Sequence, residues 1–233
     1  MWILPLGAAG VAAAFALLLV RQYLDRRRPF QALWAVALVM YAVASFSLFL
    51  GVLNGWSAGE YRTYWLLGAV LNVPFLAGGE VVLLFRQRLV LVVTILVLVF
   101  AAGFAFAVVR GADFTGAGAL DKDLPLGKEV FGAGTPAHRL PQYMSYPAYF
   151  LLLAGCLWSL WRMRGRPELR DRFLGTLGIA VGATIVAVGS GIGAGLDVVP
   201  LFAVGLAGGI AVMFWGFLRA SRSATAPAPS WAR

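Results

Sequence analysis

"RQRLVLVVTILVLVFAAGFAFAVVR", residues 86–110, decides the fold class, because no charge interrupts it between Arg88 and Arg110. A helix needs about 20 mostly apolar residues to cross about 30 Å of hydrocarbon, where no water is present to satisfy backbone amides. The stretch 89–109 meets that length, and so do stretches near 2–22, 30–53, 62–85, 144–162, 173–195 and 199–218. A membrane β-barrel would alternate apolar with polar residues in short segments, whereas these runs are apolar on every side. Composition agrees. With 61% hydrophobic and 12% charged residues among 233, the chain has more apolar surface than one water-soluble core can hide. The expectation is an all-α integral membrane protein, a seven-transmembrane-helix bundle over 1–219, with a short disordered tail over 220–233.

Charge orients the spans. The connections after the first, third and fifth spans, together with the tail, hold fourteen arginines, among them Arg26, Arg27, Arg28, Arg86, Arg88, Arg164 and Arg166. The other side holds five basic residues, Arg62, Arg110, Lys122, Lys128 and Arg139. Cytoplasmic loops carry the excess of Lys and Arg, so the N-terminus is expected outside and the C-terminus in the cytoplasm. Met1 to Val20 reads as a first span rather than a secretory signal, because no basic residue precedes it and "DRRRP" follows it. The net charge of +9 then reads as an arginine collar facing anionic lipid headgroups on the cytoplasmic side, with no nucleic-acid role.

One connection is long. Residues 110–143 fall outside the membrane in this topology. Leu124, Leu126, Val130, Phe131, Leu140 and Tyr143 within it, with Tyr146 just beyond, predict an ordered loop over the bundle mouth, either a lid or a structured connector.

In the sixth span, Gly175, Gly178, Gly182, Gly189 and Gly193 recur at spacings that align them on one helical face. Such a stripe lets two backbones approach closely in lipid, and Gly205 and Gly209 of the seventh span offer a partner. A glycine-rich nucleotide loop would need a strand, an open turn and a lysine, and none is present.

Polar residues within the spans are the candidates for function. Counting about 1.5 Å per residue puts Tyr41, Ser45, Asn72 and Thr184 near the membrane midplane. They read either as interhelical hydrogen-bonding groups or as the lining of a ligand pocket, with Pro74 freeing a backbone carbonyl beside them. Glu80 lies nearer the arginine-rich side, at a level shared by Trp34, Thr94, Thr176 and Trp215. An acid inside a membrane is costly and faces the bundle interior or a water-filled cavity. Glu80 is therefore either a staple paired with Arg21, Arg172 or Arg219, or a partnerless acid available to a ligand or a proton.

Several chemistries drop out. The single histidine, His138, stands in the long connection, which excludes bis-histidine haem, HExxH zinc chemistry and an intramembrane Ser-His-Asp triad. The single cysteine, Cys156, excludes an internal disulfide and CxxC motifs, and reads as a small core residue. All aspartates fall in connections, and the only lysines, Lys122 and Lys128, lie outside the spans, so neither an intramembrane aspartyl protease nor a retinal Schiff base is available. No metal, cofactor or catalytic residue is expected.

The stretch "RRRPFQALWAVALVMYAVASFSLFLG" with "YRTYWLLGAVLNVPFL" resembles the second and third spans of the seven-helix sensor regions that precede some bacterial histidine kinases. With "LPLGKEVFG", "HRLPQYMSYPAY" and "WRMRGRPELRDRF" the chain also resembles a family of seven-span membrane proteins of high-GC Gram-positive bacteria, which supplies no site to carry over. The first resemblance implies a sensing role that, with no output domain after Arg219, would act through a cytoplasmic or membrane protein partner. The expected function is binding or sensing of a small or lipophilic ligand, or service as a membrane accessory subunit. The alternative is a small-solute or lipid transporter using Glu80 in proton coupling.

Overall fold

The computed structural model describes residues 3–116, 118, 120–122, 124–195 and 199–222. Among these residues there are no strands, and seven helices are long and apolar enough to cross a membrane, the mark of a multi-pass membrane protein. They are α1 (Ile3–Arg26), α2 (Pro29–Asn54), α3 (Ala58–Phe85), α4 (Arg88–Gly111), α5 (Pro136–Met163), α6 (Arg170–Gly195) and α7 (Val199–Arg222). Helix ends run past the apolar stretches because hydropathy marks only the part suited to hydrocarbon, while backbone hydrogen bonding continues beyond it. The proposed tail begins within α7, and its residues from 223 onward lie outside those described.

Local chemistry sets the boundaries. Pro29 opens α2, where its missing N–H costs nothing. Ser57 caps α3 in a capping box: its Oγ accepts from Glu60 N at 3.2 Å, and the Glu60 carboxylate accepts from Ser57 N at 3.0 Å. Arg86, in the left-handed conformation with φ 51°, makes the sharp turn into α4. α5 begins at Pro136, inside the stretch read as loop, because Thr135 Oγ1 caps it at His138 N and Pro136 occupies its first turn. Prolines at 141 and 147 lie within it and disguise the helix in the sequence.

Six helices close a ring. α1 packs on α2, α2 on α3, α3 on α5, α5 on α6, α6 on α7, and α7 returns to α1. Phe15 of α1 seals the last seam against Phe214 and Phe217, with ring centroids at 5.3 and 4.7 Å. α4 stands outside the ring against α3, which is why the most apolar helix is also the least covered, with Phe100 75% exposed.

The closest seam is α6 on α7, and glycine makes it. A Cβ added at Gly175 would stand 2.6 Å from Gly216 O; at Gly182, 2.5 Å from Gly209 O; at Gly189, 2.7 Å from Gly205 Cα. Gly178 faces the Gly216 Cα at 2.9 Å. The three levels on α6 are seven residues apart, so near-antiparallel helices stay in contact along the seam. Gly216 completes the stripe on α7 and was not among the predicted residues. Gly193 lies where the side chains are outside those described.

Candidate functional site

Within the ring lies a cavity of about 630 Å³, walled by α2, α3, α5, α6 and α7 and lined at one end by Leu124–Lys128; the exposed Tyr146, Phe150 and Val188 also line it, so it is open on the side of α5 and α6. That end, where the 112–135 connection sits, is the loop end; the opposite end carries the arginine-rich turns.

The unusual backbone of α3 shapes the cavity wall. Trp65–Leu71 is a π-helical stretch, in which Asn72 N bonds to Leu67 O five residues back. Such widened turns recur at functional sites. Pro74 follows and has no N–H to offer Ala69 O or Val70 O. Ser145 of α5 takes over, its hydroxyl, 2.6 and 3.0 Å from the two oxygens, offering its proton there. The exchange is mutual. Pro141 of α5 leaves Ala137 O without its helical donor, and Trp65 Nε1 of α3 supplies one at 3.0 Å. Two prolines that break the backbone ladder thus become the points where α3 and α5 are joined.

An aromatic cluster closes the loop end. Tyr61, fully buried, has Trp56, Phe131 and Trp65 around it at 5.5, 5.7 and 6.1 Å, and its hydroxyl donates to Pro125 O at 3.2 Å. Arg62 stacks 4.5 Å over Phe114 and donates to Ala112 O at 2.7 Å, Arg110 O at 2.9 Å and Val109 O, capping the last carbonyls of α4. Leu124, Val130, Phe131 and Leu140 are buried as an ordered loop requires, while Tyr143 is exposed and Tyr146, also exposed, reaches the cavity lining. Lys122 donates to Glu129 at 2.8 Å and holds that carboxyl below its ordinary range.

The predicted residues divide. Tyr41, Ser45 and Asn72 meet in the cavity lining. Tyr41 donates to Leu206 O at 2.9 Å, but Ser45 and Asn72, 3% and 4% exposed, have no side-chain hydrogen bond among the described residues. Thr184 is held outside the lining by Ala180 O at 2.8 Å and by the hydroxyl of Tyr149, at 2.9 Å, which does line the cavity. Sequence reasoning missed Ser145, Tyr149, Lys128 and His138; Pro74 and Pro141 were the signal for a donor such as Ser145, since each implied a carbonyl needing one.

Trp215 stands elsewhere. It lies half-exposed beside Gly178, with the Arg219 guanidinium 5.6 Å over its ring, while Leu206, Ile210 and Met213 take the cavity-facing side of α7. Glu80 is one turn beyond the cavity lining at Leu76 and is 4% exposed. Its side chain fits the space left by Gly155 of α5, where a Cβ would come within 2.6 Å of Glu80 Cγ. Trp34 packs on the adjoining Gly79 and donates to Leu76 O at 2.9 Å. Thr94 instead meets Gly78 on a different face of the helix. The expected arginine partners do not reach Glu80: the ion pairs among the described residues are Lys122–Glu129 and Arg219–Asp171.

A buried polar group without a partner costs free energy. Glu80→Met, which keeps length and removes the carboxyl, is therefore expected to raise unfolding stability by about 1 kcal/mol in detergent. A loss of stability in that variant would mean that the carboxyl has a partner, such as water or a ligand.

Comparison with known proteins finds no matching family model, curated protein or solved structure.

Proposed function

We propose that the protein sits in the bacterial cytoplasmic membrane, N-terminus outside and C-terminus inside, and binds a small lipophilic ligand within the helix ring, as a sensor or accessory subunit. The observation that carries this reading is the cavity, whose mostly apolar wall includes the unpartnered amide of Asn72 and hydroxyl of Ser45. Ligand pockets are of this size, about 300–1,000 Å³, and combine apolar walls with a few polar groups that set orientation. Mass spectrometry of the protein extracted without delipidation tests it. A stoichiometric small molecule is expected, and Ala187→Phe, which adds bulk to the lining, should lower its occupancy. Absence of any retained molecule from the wild type, with no binding of added amphiphiles, would overturn the reading.

The orientation rests on the arginine asymmetry. In a Cys156→Ala background, a cysteine at Ala133 should react with an impermeant thiol reagent added to intact cells, and one at Arg166 should react only after lysis. The reverse pattern would invert the topology.

Glu80 favours a second reading, proton-coupled transport, because a partnerless buried acid one turn beyond the cavity suits a proton carrier. Solute uptake into liposomes that follows an imposed proton gradient and disappears in Glu80→Gln would select it.

A further inference from the structure

Polarity changes along the cavity in one direction. At the loop end the lining includes Lys128 and His138. Lys128 is exposed and takes part in neither ion pair among the described residues, while His138 Nδ1 is sealed from the cavity, so the imidazole can meet a ligand only through its other edge. The nearest acid along the chain, Glu129, is engaged by Lys122 at 2.8 Å. That end therefore sets an ammonium group and an imidazole on the lining, and Glu129, which also feels the Lys128 charge, makes its contact with Lys122 instead. Below lies the neutral belt of Ser45 and Asn72, and below that a floor of Leu38, Leu76, Leu152 and Met213.

Length along the wall indicates what fits. From His138 to Leu152 the lining follows α5 for about 21 Å at 1.5 Å per residue. A single extended alkyl chain with a compact head suits that length.

We propose that the cavity takes a single-chain amphiphile with an anionic oxygen head group, the head at Lys128 and His138, the first part of the chain passing Ser45 and Asn72, and the tail on the apolar floor. This rests on the ligand-binding reading above and names the class of ligand. A carboxylate and a phosphate monoester share the head-group chemistry, so the source is either a free fatty acid or a lysophospholipid.

The test uses the full chain in nanodiscs with three probes of matched chain length: palmitic acid, lysophosphatidic acid and hexadecanol. At least one anionic probe is expected to bind about tenfold more tightly than the alcohol, the usual worth of a charge-assisted hydrogen bond. Lys128→Gln combined with His138→Gln should remove that preference while leaving hexadecanol binding unchanged. Tighter palmitic acid identifies the fatty acid as source, and tighter lysophosphatidic acid the lysophospholipid. Equal binding of all three by the wild type, or a preference that survives the double substitution, overturns the head-group assignment and leaves the ligand-binding reading intact. Failure of all three, with no molecule retained on gentle extraction, removes both.

Discussion

Gly182→Leu is expected to lower the yield of folded protein about tenfold or more, while Ala211→Leu leaves it close to wild type. Both substitutions add the same side chain to neighbouring helices of one seam. At Gly182 the first added carbon would stand 2.5 Å from Gly209 O, 2.5 Å from Met213 Cγ and 2.6 Å from Met213 N, so turning the Met213 side chain aside would still leave two backbone clashes. Ala211 is exposed on α7 and has room for the larger group. In lipid the chain gains little from hiding apolar surface between helices, and close packing carries the association instead. Separating α6 from α7 forfeits those contacts along the seam and opens the ring, because α7 also closes on α1. Fluorescence-detected size-exclusion chromatography in mild detergent reads the outcome. Equal yields for the two variants would mean that the glycine seam does not hold the bundle together. Gly191→Leu is a second control, since a Cβ there meets nothing within 4 Å.

The seam was legible in the sequence for the same reason that the helices were. Each depends on spacing along one segment: about 20 apolar residues make a membrane-crossing helix, and glycines at helical intervals make a face. The ring was not legible, because it depends on which helix neighbours which. In a soluble protein the polar side of each helix would point outward and orient it. Here lipid accepts apolar side chains as readily as the bundle interior does, so the pattern could not tell that α4 stands outside and that Trp215 faces away from the cavity. Depth alone grouped Glu80 with Trp34, Thr94, Thr176 and Trp215. The structure keeps Trp34 near it and turns Thr94 and Trp215 to other faces. Residues that share a level share a neighbourhood only when their helical faces also converge. Tyr41, Ser45 and Asn72 satisfy that condition because the π-helical turns of α3 rotate Asn72 onto the same interior that α2 faces.

Ser145→Ala is expected to lower unfolding stability by about 2 kcal/mol in the wild type and by less than half of that when Pro74→Ala is also present. Interhelical hydrogen bonds in membranes average only about 0.6 kcal/mol, since an unfolded helix in lipid also finds partners. This bond differs in what its loss leaves behind. Pro74 supplies no N–H, so one carbonyl of the Ala69–Val70 pair loses its backbone donor, and the Ser145 hydroxyl, 2.6 and 3.0 Å from the two oxygens, offers its proton there, in a buried site where an orphaned carbonyl bears its full desolvation cost. Pro74→Ala restores a backbone donor within α3 and relieves that dependence, so the two substitutions should be non-additive. The reciprocal pair makes the same demand of the other helix: Trp65→Phe removes the donor to Ala137 O, and Pro141→Ala should offset the loss. Unfolding in mixed micelles gives the four free energies of each cycle. If Ser145→Ala costs the same in both backgrounds, Ser145 contributes no more than an ordinary interhelical bond, and the proline-freed carbonyls are satisfied in some other way. If the coupling appears in both cycles, the α3–α5 junction beside the cavity is held by side chains that replace two missing backbone donors, and the widened turns that carry Asn72 into the lining depend on it.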